Sequence, residues 1–425
     1  MKISISRTQG SALVIALVLC GIVGILLGSF YLLSSHHYRM IKRAEAWNRA
    51  IPVLEAGIEE AMSQLTANPE QRDREGWKAA GGWYTKTRQL SDDSYYTVSI
   101  STNSPPLVLS KGFVKSPLET DKYISRTVRV TTTNRALFTY GIITKENIDM
   151  KGNNLTVNSW DSTDPDYSKN GRYDNKKTKA GGDVATRSGL VDSFNVGNAK
   201  IHGRVATGPG GTIAIGSQGV VGSSQWHEDG KKGIEPGWSS DDMNFDFPEI
   251  TGVPTGGLTP LGTKIGKTTF QYVLNGGDYR VSDVSGSLFV TADSTLVVNA
   301  KFNMGGSDFI YIAPGASLKI YCYANDAKFG GGGVANTSEQ PIDFQFYGMP
   351  SNKKITFSGG SEFIGVIYAP NAELNMGGGG SSTINFAGAS ATKTLKMNGH
   401  FNAHYDESLA RKLMSGYVMT SWDEE

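Results

Sequence analysis

The segment Asp161-Ser162-Thr163-Asp164-Pro165-Asp166-Tyr167-Ser168-Lys169-Asn170-Gly171 gathers carboxylates, hydroxyls and an amide in one short stretch. Hard oxygen ligands of this kind suit calcium, but an EF-hand needs glycine at its sixth place and a closing glutamate. Counted from Asp164, Gly171 falls at the eighth place and no glutamate follows. The segment therefore reads as a solvated Asx-rich turn, with calcium as the alternative.

His400 and His404, with Asp406 beside them, have a spacing that zinc sites use on helices. Phe401-Asn402-Ala403 looks like a strand exit instead, and no third ligand is evident, so no metal site is assigned. Asp241, Asp242, Asp278, Asp283 and Asp293 offer carboxylates for glycoside cleavage, but nothing in their spacing fixes a pair at the required separation. Trp226, Trp238, Tyr272 and Tyr279 could stack on sugars, although packing is the commoner fate of such rings. Gly305-Gly306 and Gly330–Gly333 lack the strand–helix setting of a phosphate or dinucleotide loop. The expectation is a non-enzyme with no catalytic residues and no cofactor.

The elements that carry these residues divide sharply along the chain. Ser11–Leu33 is an unbroken apolar stretch, about 34 Å long as a helix and enough for a ~30 Å hydrocarbon core. Lys2 and Arg7 precede it, and Arg39, Lys42 and Arg43 follow, so charge bias leaves the orientation open. The short tail before the span favours a cytoplasmic N-terminus and an extracytoplasmic remainder. His36-His37, beside Tyr38 and Arg39, marks the membrane interface. Cys20 inside the span and Cys322 in a strand-like run are no disulfide framework. Leu19 is too bulky for a lipoprotein signal at Cys20.

Beyond the span, Ala44, Trp47, Ile51, Leu54, Ile58, Met62 and Leu65 recur every three or four residues, predicting one apolar helical stripe. Pro52 is expected to kink that helix. Strands are predicted over Tyr95–Ser101, Leu107–Lys115 and Tyr123–Thr133. From Ala136 onward, short apolar runs alternate with Gly, Asn and Asp turns, and glycine makes up 52 of the 425 residues. Ile310–Leu318 repeats as Val366–Leu374. Asn303-Met304-Gly305-Gly306 repeats as Asn375-Met376-Gly377-Gly378, with related pieces at Asp149–Asn153 and Lys396–Gly399. Repetition of strand, turn and strand points to stacked coils. The expected fold is mainly β: a long N-terminal helix, a small meander and a right-handed parallel β-helix-like solenoid. A helix over Glu407–Met414 is expected to cover the open end of the stack. The formal net charge of +1 argues against nucleic acid as a partner.

The run Arg7-Thr8-Gln9-Gly10-Ser11-Ala12-Leu13-Val14-Ile15 resembles a class III leader cut by prepilin peptidase, and the N-terminus of PilX-type minor pilins. That resemblance implies cleavage between Gly10 and Ser11. It also implies partners: the peptidase, an assembly platform and fellow pilin-type subunits. Major pilins usually carry Phe and Glu where this chain has Ser11 and Ile15, which disfavours a major filament subunit. Phe363–Ala372 and His404–Leu409 resemble an uncharacterised β-helical domain that follows such N-termini in bacterial surface proteins. The expected organisation is a leader at 1–10, a membrane and pilin-like helix at 11–66, a small β region at 67–135 and a β-helical head at 136–425. The expected role is a minor or accessory type IV pilus component, single-pass in the membrane, whose head meets a surface glycan or protein. The alternatives are a membrane-tethered glycan-active enzyme on the same β-helix, or a static, uncleaved envelope protein.

Overall fold

A computed structural model describes residues 9–66, 75–117, 119, 121–151, 155–330, 332–357, 362–378, 383–399 and 401–425. The chain forms two compact units, Met1–Arg135 with Gly416–Glu425, and Ala136–Ser415.

The first unit begins with α1, Gln9–Thr66, which runs without interruption through Pro52. Behind it come β1 (Lys78–Ala80), β2 (Trp83–Ser91), β3 (Ser94–Ser101), β4 (Leu107–Lys115) and β5 (Tyr123–Ala136). These pair in sequence order as an antiparallel meander. Tyr96, Val98 and Ile100 alternate inward on β3, and Val128 and Val130 do so on β5, forming one core with the second half of α1.

The buried stripe of α1 differs from the expected one. Ala46, Ala50, Val53, Leu54, Ile58, Ala61 and Leu65 are buried, whereas Ala44 and Trp47 are exposed and Ile51 is half-buried. Close approach decided this. Gly57 of α1 lies against Ser110 and Tyr96, and Gly112 of β4 lies against the backbone at Ala50 and Leu54. Small residues let the helix settle onto the sheet, and Trp47 turns out to meet the Arg126 guanidinium, 5.0 Å away.

The last strand corrects the expected head boundary. Met414–Glu424 adds to the meander beside β5. The Arg126 Nε–H donates to Glu424 Oε1 at 2.6 Å, and the Glu425 N–H donates to the Thr127 carbonyl at 3.0 Å. The head is therefore Ala136–Ser415, inserted between two neighbouring strands of the first unit, and does not run to residue 425.

Within the head, strands pair in parallel from coil to coil. One inward column passes through Leu288, Ile310, Val334, Phe363, Phe386 and Ala403. It then continues through Val157, Ile201 and Val221, all buried. The residue numbers jump back in mid-column, so the stack is permuted relative to the chain. The polypeptide enters at the middle, winds to one end by Ser240, returns, and winds back to close on its own first coil. The closing pairs are Ser390–Thr392 on Ile142–Thr144, and Asn402–Asp406 on Thr156–Trp160.

The return segment, residues 241–260, descends along the stack. The Met243 N–H donates to the Thr207 carbonyl, the Tyr368 hydroxyl to the Pro248 carbonyl, and the Leu258 N–H to the Asp278 carbonyl. The short helix Leu409–Lys412 consequently lies near the junction, and does not cover an open end as expected. The reason is pairing. The strand before it, Phe401–Asp406, finds a backbone partner in Thr156–Trp160, so no end exists there to cover.

The repeats acquire physical meaning in this register. Asn303, Lys328, Thr356, Asn375, Lys396 and Asp149 stack in one column. The Met304, Met376, Met397 and Met150 that follow are buried at one corner. The other repeat behaves differently: Val366 stacks on Gln345 and Lys319, so its coil position differs from that of Ile310. There the turn chemistry recurs without the register.

Candidate functional site

Two surfaces stand out. The first is the outer half of α1, where Leu13, Ile25 and Leu33 are 72%, 71% and 58% exposed. A helix apolar on every face is stable only when something apolar surrounds it. This is one helix long and apolar enough to cross a membrane. Gln9 opens it, and Gly10 and Ser11 sit in its first turn. Lys2 and Arg7 lie outside the described residues.

Its inner half also meets the sheet through the Glu60 carboxylate. Lys86 and Arg88 of β2 approach Glu60 at 2.8 and 2.6 Å, and the Tyr96 hydroxyl also donates to it. Burial pushes the Glu60 carboxyl up, but the hydrogen bonds from Lys86 and Tyr96 outweigh it and hold the group below its usual value.

The second surface is a cleft where the two arms of the head meet. One wall is the sheet, through Asn385, Asn402 and His404. The other is the loop that follows Trp160, through Lys169, Tyr173, Asp174 and Asn175. The Tyr173 ring stacks on His404 with centroids 3.8 Å apart, and Trp160 meets Tyr173 edge-on at 5.4 Å. The loop is pinned at its root: Arg411 Nη2 donates to both Asp161 oxygens, at 2.8 and 2.7 Å.

That ion pair bears on the calcium alternative. Asp161 also accepts from Thr163, and Asp164 accepts from the Asp166 N–H, so two of the loop's carboxylates are held within the protein. Among the described residues no group of three His, Cys, Asp or Glu side chains could hold a metal ion. His404 is buried against Asn158, Asp406 accepts from Ser162 and Ser408, and His400 lies outside the described residues.

The structure disperses the other candidates. Asp241 lies beside Ser239 and Ser240 at one end of the stack, while Asp278 and Asp283 are on the coil Thr268–Val284 at the other. Asp293 accepts from the Ser317 hydroxyl. Tyr279 is buried, Tyr272 donates to the Asp283 carbonyl, and Trp238 faces Arg204. Asn385 and Asn402 escaped the sequence reading, because nothing local marks two residues that become neighbours only through coil register.

A buried imidazole and a half-buried one give the head a pH dependence. Burial holds His404 down to about 3. Burial, and then His227 stacked on it at 3.7 Å, lowers His202 to about 4. An unfolded histidine titrates near pH ~6.5. Both groups therefore contribute fully above that pH, and the contribution is lost as pH falls toward their folded values, by up to ~1.4 kcal/mol per pH unit for each. The thermal midpoint of the head should drop between pH 6.5 and 4.5, and His404→Gln should flatten the slope. A midpoint unchanged across that window would contradict the assignment.

The fold thus defines a mainly β protein in which a long apolar helix leads into a meander that carries an inserted parallel solenoid. Residues 263–412 match a family described as a domain of unknown function, DUF7305. That stretch covers the stack from its Thr268–Val284 end to the junction, and the coils between residues 142 and 240 lie outside it. No curated protein and no solved structure matches the chain.

Proposed function

We propose that this protein is a pilin-like, membrane-anchored surface component, a minor or accessory subunit of a type IV pilus-type assembly with a solenoid head for contact. The observation that carries the reading is the division of α1. Its outer half is apolar and uncovered, and its inner half is packed on an antiparallel meander. Such a helix anchors first in a bilayer and then among like helices, its outer half serving both settings. The Gly10–Ser11 junction with its basic leader supplies the resemblance to PilX-type minor pilins, and Ile15 separates the chain from major subunits. Partners in this reading are a prepilin peptidase, an assembly platform and other pilin-type chains.

The test is the N-terminus of protein isolated from its native cell, read by mass spectrometry. A start at Ser11, N-methylated, is expected, and Gly10→Val should leave the leader on nearly every molecule because the peptidase needs a small residue there. An intact leader in all mature wild-type protein would refute the proposal.

A further inference from the structure

The junction cleft has about 460 Å³ of space, within the ~300–1,000 Å³ of small-molecule sites. Such sites are mostly apolar, and this one is not. Each of its side chains carries a hydrogen-bonding group, and none is aliphatic. One ammonium, Lys169, and one carboxylate, Asp174, balance each other, so the lining presents no net charge to select an ionic ligand.

Several of these groups have bonding capacity to spare. Asn402 Oδ1 accepts from the Thr156 N–H at 3.2 Å, while its amide N–H groups have no partner among the described residues. Lys169 and Asn175 make no side-chain hydrogen bond or ion pair among the described residues. Asn402 stacks directly on Asn385 of the neighbouring coil, which sets two amides one strand spacing apart.

The inner end of the cleft is satisfied within the protein. Asn158 bridges the Tyr173 hydroxyl, 3.1 Å away, and His404 Nδ1, 2.7 Å away, while His404 Nε2 lies 3.2 Å from Asn385 Oδ1. Asn385 Nδ2 donates to Glu362 Oε1 at 2.9 Å, which turns the oxygen of that amide toward the imidazole. The imidazole therefore donates from Nε2 to Asn385, and its Nδ1 accepts from Asn158, whose oxygen takes the Tyr173 hydroxyl proton. This relay fixes the two walls and leaves Asn402, Asn175 and Lys169 to meet a ligand.

We propose that this cleft binds an uncharged, hydroxyl-rich glycan, whose hydroxyls pair with the amides of Asn175 and Asn402. The assignment rests on reading the head as a contact module. It names the ligand class that the module recognises.

The test uses the full chain in nanodiscs. Binding is measured to neutral oligosaccharides of hexose and N-acetylhexosamine units, with sialylated and uronate oligosaccharides of equal length alongside. Neutral probes should bind, acidic ones no better, and Asn402→Ala and Asn175→Ala should each weaken binding at least tenfold, Asn175→Ala without moving the unfolding midpoint. A photoreactive neutral glycan on the unmodified protein should cross-link to residues 169–175 or 385–404, which keeps the test independent of how well Asn402→Ala folds. Absence of neutral-glycan binding at millimolar probe, preference for acidic probes, or binding that survives both substitutions would overturn the proposal. Binding is read whether or not the Gly10–Ser11 bond is cut, so its failure and the failure of the pilin reading show separately.

Discussion

Gly388→Ala should strongly destabilise the solenoid head while leaving the meander unit intact. Gly388 stacks on Gly365 of the preceding coil with φ +142°, a backbone conformation that favours glycine. An added Cβ would overlap the Gly365 carbonyl oxygen and press on Pro341. Gly365 cannot retreat, since it abuts the Phe344 ring and carbonyl on its own far side. Backbone strain and overpacking each cost about 1–3 kcal/mol, so the sum is on the order of 4 kcal/mol, a large part of a domain's stability. The measurement is thermal unfolding with a probe in each unit. Gly377→Ala is the control: it meets nothing within 4 Å and should shift the head midpoint very little. An unmoved head transition in Gly388→Ala would show that the coils are not stacked in this register.

Gly112→Val should separate α1 from its sheet. A Cβ at this position comes within 2.6 Å of the Ala50 carbonyl oxygen and 2.7 Å of the Leu54 nitrogen. Both are helix backbone atoms, so relief requires the whole helix to move rather than one side chain to turn. Moving it uncovers Leu54, Ile58 and the inner faces of β3 and β4, at about 1.5–3 kcal/mol for each large apolar side chain exposed. The expected result is a loss of several kcal/mol in the first unit, read as proteolysis between residues 44 and 66 under conditions where wild type resists. In the proposed assembly role, the same variant should be processed at Gly10 yet fail to accumulate on the surface, because the unpacked helix is cut by proteases between the span and the head. Full protease resistance would place the helix somewhere other than on Gly112.

Much of this architecture was legible in the chain, and the reasons are local. Leu107–Lys115 is the strand that its alternation predicts, and α1 follows from the apolar run Ser11–Leu33 and the helical stripe beyond it, with no turn cluster before Thr66. The Met-Gly pieces marked one corner of the solenoid because a corner that recurs on every coil imposes the same steric demand each time. Trp83–Ser91 went unread as a strand, since its half-buried and exposed residues carry no clear alternation. Leu54, Ile58 and Leu65 are buried as their spacing predicts, but at the start of the stripe hydropathy rewards Trp47 and Ile51, whereas close packing on Gly112 rewards Ala46 and Ala50. Of the cleft, only His404 was singled out, and for a metal. Its amide partners come from coils whose neighbours were unknown.

By itself the sequence determined that a long helix comes first, a meander next and stacked coils after it, because those choices depend on propensity, period and turn chemistry within a few residues. It also determined that α1 is too apolar to stand alone in water. Only the tertiary structure decided that the head enters at the middle of its own stack, that Met414–Glu424 returns to the meander, and that Asn385, Asn402 and His404 face Tyr173 across a cleft. Each of those is a pairing between strands far apart in the chain. Backbone hydrogen bonds are alike at every residue, so the choice of partner is made by the fit of whole coils and leaves no mark in any one segment.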